Sequence, residues 1–147
     1  MKKIFSILFY VLCFFLTSFG APKVENMVYI FNQLTTYSDE KSMDKYCENY
    51  SLYPISDEAD THTYSCPDGS VISFKVEQTD TGRKLPVVEM TTPMKHKEID
   101  STLKSLGYVK EGSSYVKGKK HHPTQTVCTI SKEDSSCKLR ATKHLNR

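Results

Sequence analysis

Thr61-His62-Thr63-Tyr64-Ser65-Cys66-Pro67-Asp68-Gly69-Ser70-Val71-Ile72-Ser73-Phe74-Lys75-Val76-Glu77 is the stretch on which the fold turns. Residues 61–66 and 70–77 read as strands on either side of Pro67-Asp68-Gly69. Pro pre-sets φ at the first turn position and Gly accepts the left-handed one, which suits a three-residue hairpin loop. That register puts His62, Tyr64 and Cys66 on the face of Ile72, Phe74 and Val76. A two-residue Asp-Gly loop would set Tyr64 and Cys66 with Val71, Ser73 and Lys75 and split the apolar face. The longer loop is predicted, with Cys66 pointing inward.

Working outward, Ser38-Asp39-Glu40 reads as a helix start, and Met43, Tyr46, Cys47 and Tyr50 follow at helical spacing. Residues 24–34 form a second amphipathic pattern, with Val24, Met27, Val28, Phe31 and Leu34 on one face. Leu85 to Met90 is a predicted strand, and Pro86 within it favours an edge position. Thr92-Pro93 then opens a helix that carries Ile99, Leu103 and Leu106 and ends at Gly107. Residues 108–117 read as a tight hairpin around Gly112-Ser113, with Val109 facing Val116, and 118–123 as a loop. Residues 124–131 and 136–143 are predicted strands joined around Lys132-Glu133, and 144–147 a frayed tail. The order α-α-β-β-β-α-β-β-β-β predicts an α+β class: a small antiparallel sheet or sheets of hairpins with two or three packed amphipathic helices.

There is an internal echo. Met43-Asp44-x-x-Cys47-x-x-Tyr50 resembles Ile99-Asp100-x-x-Leu103-x-x-Leu106, and Thr61-His62-Thr63-Tyr64 resembles Thr124-Gln125-Thr126-Val127. Two α-plus-hairpin halves, 21–92 and 93–147, would produce it. The chance likeness of two amphipathic helices is the simpler explanation.

The first twenty residues read as a secretory signal peptide. Lys2 and Lys3 precede an apolar run from Ile4 to Leu16, and Ser18-Phe19-Gly20 supplies small residues before a cleavage between Gly20 and Ala21. The run is shorter than the roughly 18–20 residues a membrane span needs. The expected mature chain is one exported domain, 21–147, periplasmic or secreted, with no transmembrane segment after cleavage. It retains Cys47, Cys66, Cys128 and Cys137. An even count in an exported chain favours two disulfides. A helix packed on the first hairpin would pair Cys47 with Cys66. A two-residue loop at Lys132-Glu133 would set Cys128 opposite Cys137.

The chain of 147 residues carries a formal net charge of +3. That sum hides a division. Residues 21–92 hold 6 positive and 12 negative side chains, and residues 93–147 hold 12 positive and 5 negative. Lys117, Lys119, Lys120, His121 and His122 crowd one short loop, with Tyr115 and Tyr108 beside it. These residues read as a contact for an acidic protein or an anionic polymer, and a solvated hairpin loop accounts for the same composition. Adjacent His121 and His122 point to opposite faces of an extended segment, which is poor geometry for a metal, and none is predicted. No cofactor motif, nucleophile elbow, zinc-protease helix or phosphate loop is present, and nothing marks a nucleic-acid-binding motif.

The leading expectation is therefore an exported, non-catalytic binding protein of the cell envelope, with an inhibitor or immunity-like role among its forms. A hydrolase with an unrecognised site and a structural, self-associating envelope protein are the alternatives. In the last, acidic and basic halves would dock head to tail.

Overall fold

A computed structural model describes residues 26–58 and 60–143. The signal segment, residues 24–25 of the expected first helix and the tail 144–147 lie outside the described residues. Among the described residues three helices, α1 (Met27–Leu34), α2 (Glu40–Asn49) and α3 (His96–Ser105), accompany eight strands. The strands are β1 (Tyr53–Glu58), β2 (Thr61–Ser65), β3 (Val71–Gln78), β4 (Lys84–Thr92), β5 (Val109–Glu111), β6 (Ser114–Lys117), β7 (Thr126–Glu133) and β8 (Ser136–Lys143).

The strands form one antiparallel sheet in the order β1-β2-β3-β4-β8-β7-β6-β5. This corrects the expected small sheets of hairpins. Pro86 lies just beyond the last pair of β4 with β8, Val87↔Thr142, so the ladder that joins the two sets of hairpins runs past it intact. Strand β1 had no counterpart in the sequence reading, because Pro54 and a register shift between Pro54 and Ser56 break its alternation.

The first hairpin has the three-residue loop: Tyr64 pairs with Ile72 and His62 with Phe74. The last one does not turn at Lys132-Glu133. Glu133 pairs with Ser136, so the turn is Asp134-Ser135, Cys128 faces Ala141 and Cys137 faces Lys132. Four residues along β8 separate the two cysteines' rows, about 13 Å at strand rise, against the 4.4–6.8 Å between Cα atoms that a disulfide requires. Cys47 and Cys66 also remain apart. Both enter the core, but their sulfur atoms do not lie at disulfide distance. No two sulfur atoms among Cys47, Cys66, Cys128 and Cys137 lie at disulfide distance, and all four are free, buried thiols. The expected staples are replaced by packing.

That packing is on one face of the sheet. Tyr64, Ile72, Phe74, Val88, Met90, Leu139, Ala141, Cys128 and Tyr115 point from it into a core shared with Val28, Phe31 and Leu34 of α1, Met43 and Cys47 of α2, and Ile99 and Leu103 of α3. Helix α1 is capped by Asn26, whose side chain accepts from the Val28 N–H, and α2 by Asp39, which accepts from the Ser42 N–H. Helix α3 starts later than Thr92-Pro93 suggests. Thr92 is the last residue of β4, and Glu98 reaches back to the Lys95 N–H to close the first turn.

The order helix, four strands occurs twice, and the pairing repeats residue for residue. Tyr53↔Ser65, Tyr64↔Ile72 and Ile72↔Met90 in the first half match Val109↔Val116, Tyr115↔Cys128 and Cys128↔Ala141 in the second. At the join, Val88↔Ala141 and Met90↔Leu139 exchange with each other, and Glu89↔Arg140 maps onto itself. A pseudo-twofold axis therefore passes through the Glu89–Arg140 pair. The helix ends repeat too. The N–H of Leu52 donates to the Cys47 carbonyl (3.1 Å), and that of Tyr108 to the Leu103 carbonyl (3.0 Å). The Met43/Ile99 part of the sequence echo coincides with this repeat. The Thr61–Tyr64 part does not, because β2 corresponds to β6 and not to residues 124–127.

Candidate functional site

The two halves each clasp helix to sheet through one tyrosine and one aspartate. The Tyr64 hydroxyl donates to Asp44 Oδ1 (2.7 Å), and the Tyr115 hydroxyl to Asp100 Oδ1 (2.6 Å). Burial, then the bond to its aspartate, pushes the Tyr115 hydroxyl up to about 12 and raises Tyr64 as well. Neither phenol is a base or a nucleophile at neutral pH. In the first half His62 joins the clasp, with Nδ1 3.0 Å from Asp44 Oδ1 and Nε2 3.9 Å from Glu40 Oε2, its ring stacked on Phe74. This is the most enzyme-like cluster of the described residues. Each ring nitrogen faces a carboxylate of α2, and the one hydroxyl in the cluster is already committed to Asp44. Three of the thiols add no nucleophile to it, since burial pushes Cys47, Cys66 and Cys128 up to about 12 and keeps them protonated. Among the described residues no group of three or more His, Cys, Asp or Glu side chains is gathered as for a metal ion.

The basic residues picked out by sequence are divided by the structure. Tyr115 is 1% exposed and belongs to the core. Tyr108 is also buried, with Lys117 Nζ 5.5 Å from its ring centroid. Lys119, Lys120, His121 and His122 are exposed on the loop between β6 and β7. His122 Nδ1 lies 2.7 Å from Thr124 Oγ1, and His121 adopts a positive φ of 58°. Two cations that the sequence left unmarked join this end. Arg83, from the β3–β4 turn, donates to the Pro123 carbonyl. Lys143, from the end of β8, donates to Thr126 Oγ1 (2.8 Å) and the Thr124 carbonyl (3.4 Å). Their distance in sequence, 40 and 19 residues from those partners, is why no local pattern revealed them.

The second surface is the face of the sheet opposite the helices. Its central row, read from pairing, is Thr63–Ser73–Glu89–Arg140–Thr129–Ser114. Arg140 Nη1 sits 2.9 Å from Glu89 Oε1, and Lys138 Nζ 3.2 Å from Glu89 Oε2. Valines flank this row: Val71 on one side in the first half, Val127 and Val116 on the other in the second. The outer strands end these two flanking rows with Tyr53, 72% exposed, and Val109, 62% exposed, at positions related by the pseudo-twofold axis. A depression of about 200 Å³ lies near the axis, lined by Thr61, Ser73, Lys75, Val87, Glu89 and Arg140. No described element covers this face. Sequence reading missed it because the alternation in β2, β3, β7 and β8 shows which side chains turn away from the core but not that eight strands pool them into one surface.

Among the described residues no helix is long and apolar enough to cross a membrane. Compared with family models, with curated proteins and with solved structures, the chain has no match in any of the three.

Proposed function

We propose that this chain is an exported, non-catalytic binding protein of the cell envelope that docks a protein on the open face of its sheet. The observation that carries the reading is the face itself. Eight strands at sheet spacing, with about six residues each, offer roughly 35 Å by 20 Å, or about 700 Å². That is close to the ~800 Å² per partner of a standard protein–protein interface. The composition suits such a contact: small hydroxyl-bearing side chains on the floor, a row of valines on one side and Val71 on the other, an arginine near the centre and an exposed tyrosine at the rim. A shallow depression beside Glu89 and Arg140 would seat one protruding side chain of the partner. Export rests on the N-terminal pattern of Lys2, Lys3 and the apolar run to Leu16.

The test is site-specific photo-cross-linking from the full chain in its native envelope. A photoreactive residue at Ser73 or Thr129 is expected to capture the same protein, and one at Lys41 on α2 to capture none. Arg in place of Thr129 fills the floor without touching the core and is expected to abolish capture. Cross-links from Lys41 alone, or capture that survives Thr129→Arg, would overturn the reading.

A further inference from the structure

A different part of the molecule gathers positive charge with no carboxylate among the described residues to balance it. Lys117 closes β6, Thr126 pairs with it on β7, and Lys143 pairs with Thr126 on β8. The three side chains share one face, so Thr126 stands between two lysines. Arg83 and Lys143 sit on the consecutive carbonyls of Pro123 and Thr124. Three cations from three separate elements therefore bracket the short segment 123–126. That segment is held in place. Gln125 and Thr126 are buried, the Gln125 N–H donates to the His122 carbonyl (2.8 Å), and a Cβ at Gly118 would meet Gln125 Cα at 3.4 Å. Among the described residues no carboxylate lies at ion-pair distance from Arg83, Lys117, Lys119, Lys120 or Lys143. Burial, and then the like charges of Lys117 and Arg83, hold the Lys143 ammonium below its ordinary range. The arrangement is electrostatically incomplete as it stands.

We infer that Arg83, Lys117 and Lys143, with the Thr126 hydroxyl, form a binding site for a phosphate group, as the free ion or as a phosphate of an anionic polymer. Lys117 Nζ also lies 3.4 Å from Asn32 Oδ1 and over the Tyr108 ring, and Arg83 and Lys143 already donate to the segment; the remaining guanidinium and ammonium N–H groups, with the Thr126 hydroxyl, would serve one tetrahedral oxyanion. A bound dianion would cancel the repulsion that the three cations impose on one another. Lys119 and Lys120, exposed on the loop above, would touch only a ligand longer than one phosphate. The site is on the helix side at one end of the sheet, so it stands apart from the protein-docking face.

The experiment is thermal unfolding of the full chain in phosphate against chloride at matched ionic strength. A 1 mM site in 10 mM phosphate multiplies the folded-to-unfolded ratio about elevenfold, so Tm is expected to rise by several degrees. Arg83→Met and Lys143→Met are each expected to abolish the rise, and Lys143→Arg to keep it. Equal Tm in the two salts, or a rise that persists in Arg83→Met, would overturn the site. Arg83 lies on an exposed turn, so that variant reads the result even if Lys143→Met does not fold. A second arm titrates long-chain polyphosphate. Affinity at least tenfold above that for phosphate, lost in a Lys119→Glu/Lys120→Glu variant, assigns the phosphate to a polymer. Affinity no higher than for phosphate assigns it to the free ion.

Discussion

In the first half of the sheet, Asp44 accepts a hydrogen bond from Tyr64 and faces His62; in the second, Asp100 accepts from Tyr115 and from Lys104 Nζ at 2.8 Å. The clasp is the same and the basic side chain beside it is not. The same contrast holds elsewhere. Cys47 occupies the place of Leu103, and Ser51 the place of Gly107, inside identical helix-end hydrogen bonding. What repeats is backbone register and the pattern of buried positions. What differs is charge and side-chain size, where the repeated backbone sets no requirement. Such differences contribute to the acidic excess of residues 21–92 and the basic excess of 93–147, and at the positions that match Lys117, Thr126 and Lys143 the first half carries Cys66, Ser70 and Thr92 instead.

The largest expected effect tests the core of each half. Cys47 and Leu103 are both fully buried at matching positions. Leu103→Ala removes a branched side chain and leaves a cavity, so it is expected to cost about 2–5 kcal/mol in urea unfolding. Cys47→Ala removes one sulfur and is expected to cost about 1–2 kcal/mol. Equal losses would mean that the two helices do not pack alike.

Next in size are the clasps. Tyr64→Phe and Tyr115→Phe each delete a hydrogen bond to a carboxylate, with an expected loss of about 1–2 kcal/mol. The two clasps share no residue, so the double variant is expected to lose the sum to within about 0.5 kcal/mol. A larger coupling energy would show that the halves respond as one unit through the β4–β8 join.

Acid probes the second clasp. The hydrogen bond from Lys104, and then that from Tyr115, hold the Asp100 carboxyl below its ordinary range. A lowered folded pKa contributes stability above the unfolded value, and this is lost as pH falls through the folded one. Lys104→Met is expected to move the Asp100 titration, followed by carboxyl-carbon NMR, upward toward the ordinary value. An unmoved titration would leave Tyr115 as its main support.

These contrasts mark how far the sequence could be read. The His62/Tyr64/Ile72/Phe74 register was legible because a wrong loop length would have exposed Phe74, and Val109↔Val116 because Gly112-Ser113 fixes its hairpin. The Cys128–Cys137 pairing was not. Either turn keeps the same side chains on the same faces, so hydrophobic pattern does not distinguish Lys132-Glu133 from Asp134-Ser135. The β4–β8 join was illegible for a related reason: it lies between strands more than forty residues apart, and Pro86 argued locally against it. Of the basic end, the loop residues could be seen as a run. Arg83 and Lys143 reach it only through the sheet.

The smallest expected effect concerns the turn after each helix. Ser51 and Gly107 hold the same left-handed position, at φ of 56° and 89°, and each donates its N–H to the carbonyl three residues back. A side chain in that region costs roughly 1–2 kcal/mol in the folded state, and glycine costs about 0.5–1 kcal/mol in lost unfolded-state freedom. Ser51→Gly is therefore expected to stabilise by a few tenths to about 1 kcal/mol. Gly107→Ala, with no atom closer than the Lys117 side chain at 3.8 Å from its new Cβ, is expected to destabilise by a similar amount through backbone strain alone. Opposite signs in urea unfolding would confirm that the two helix ends are one structure carrying different residues. A destabilising Ser51→Gly would mean that the serine side chain supports the turn in a way its counterpart does not need.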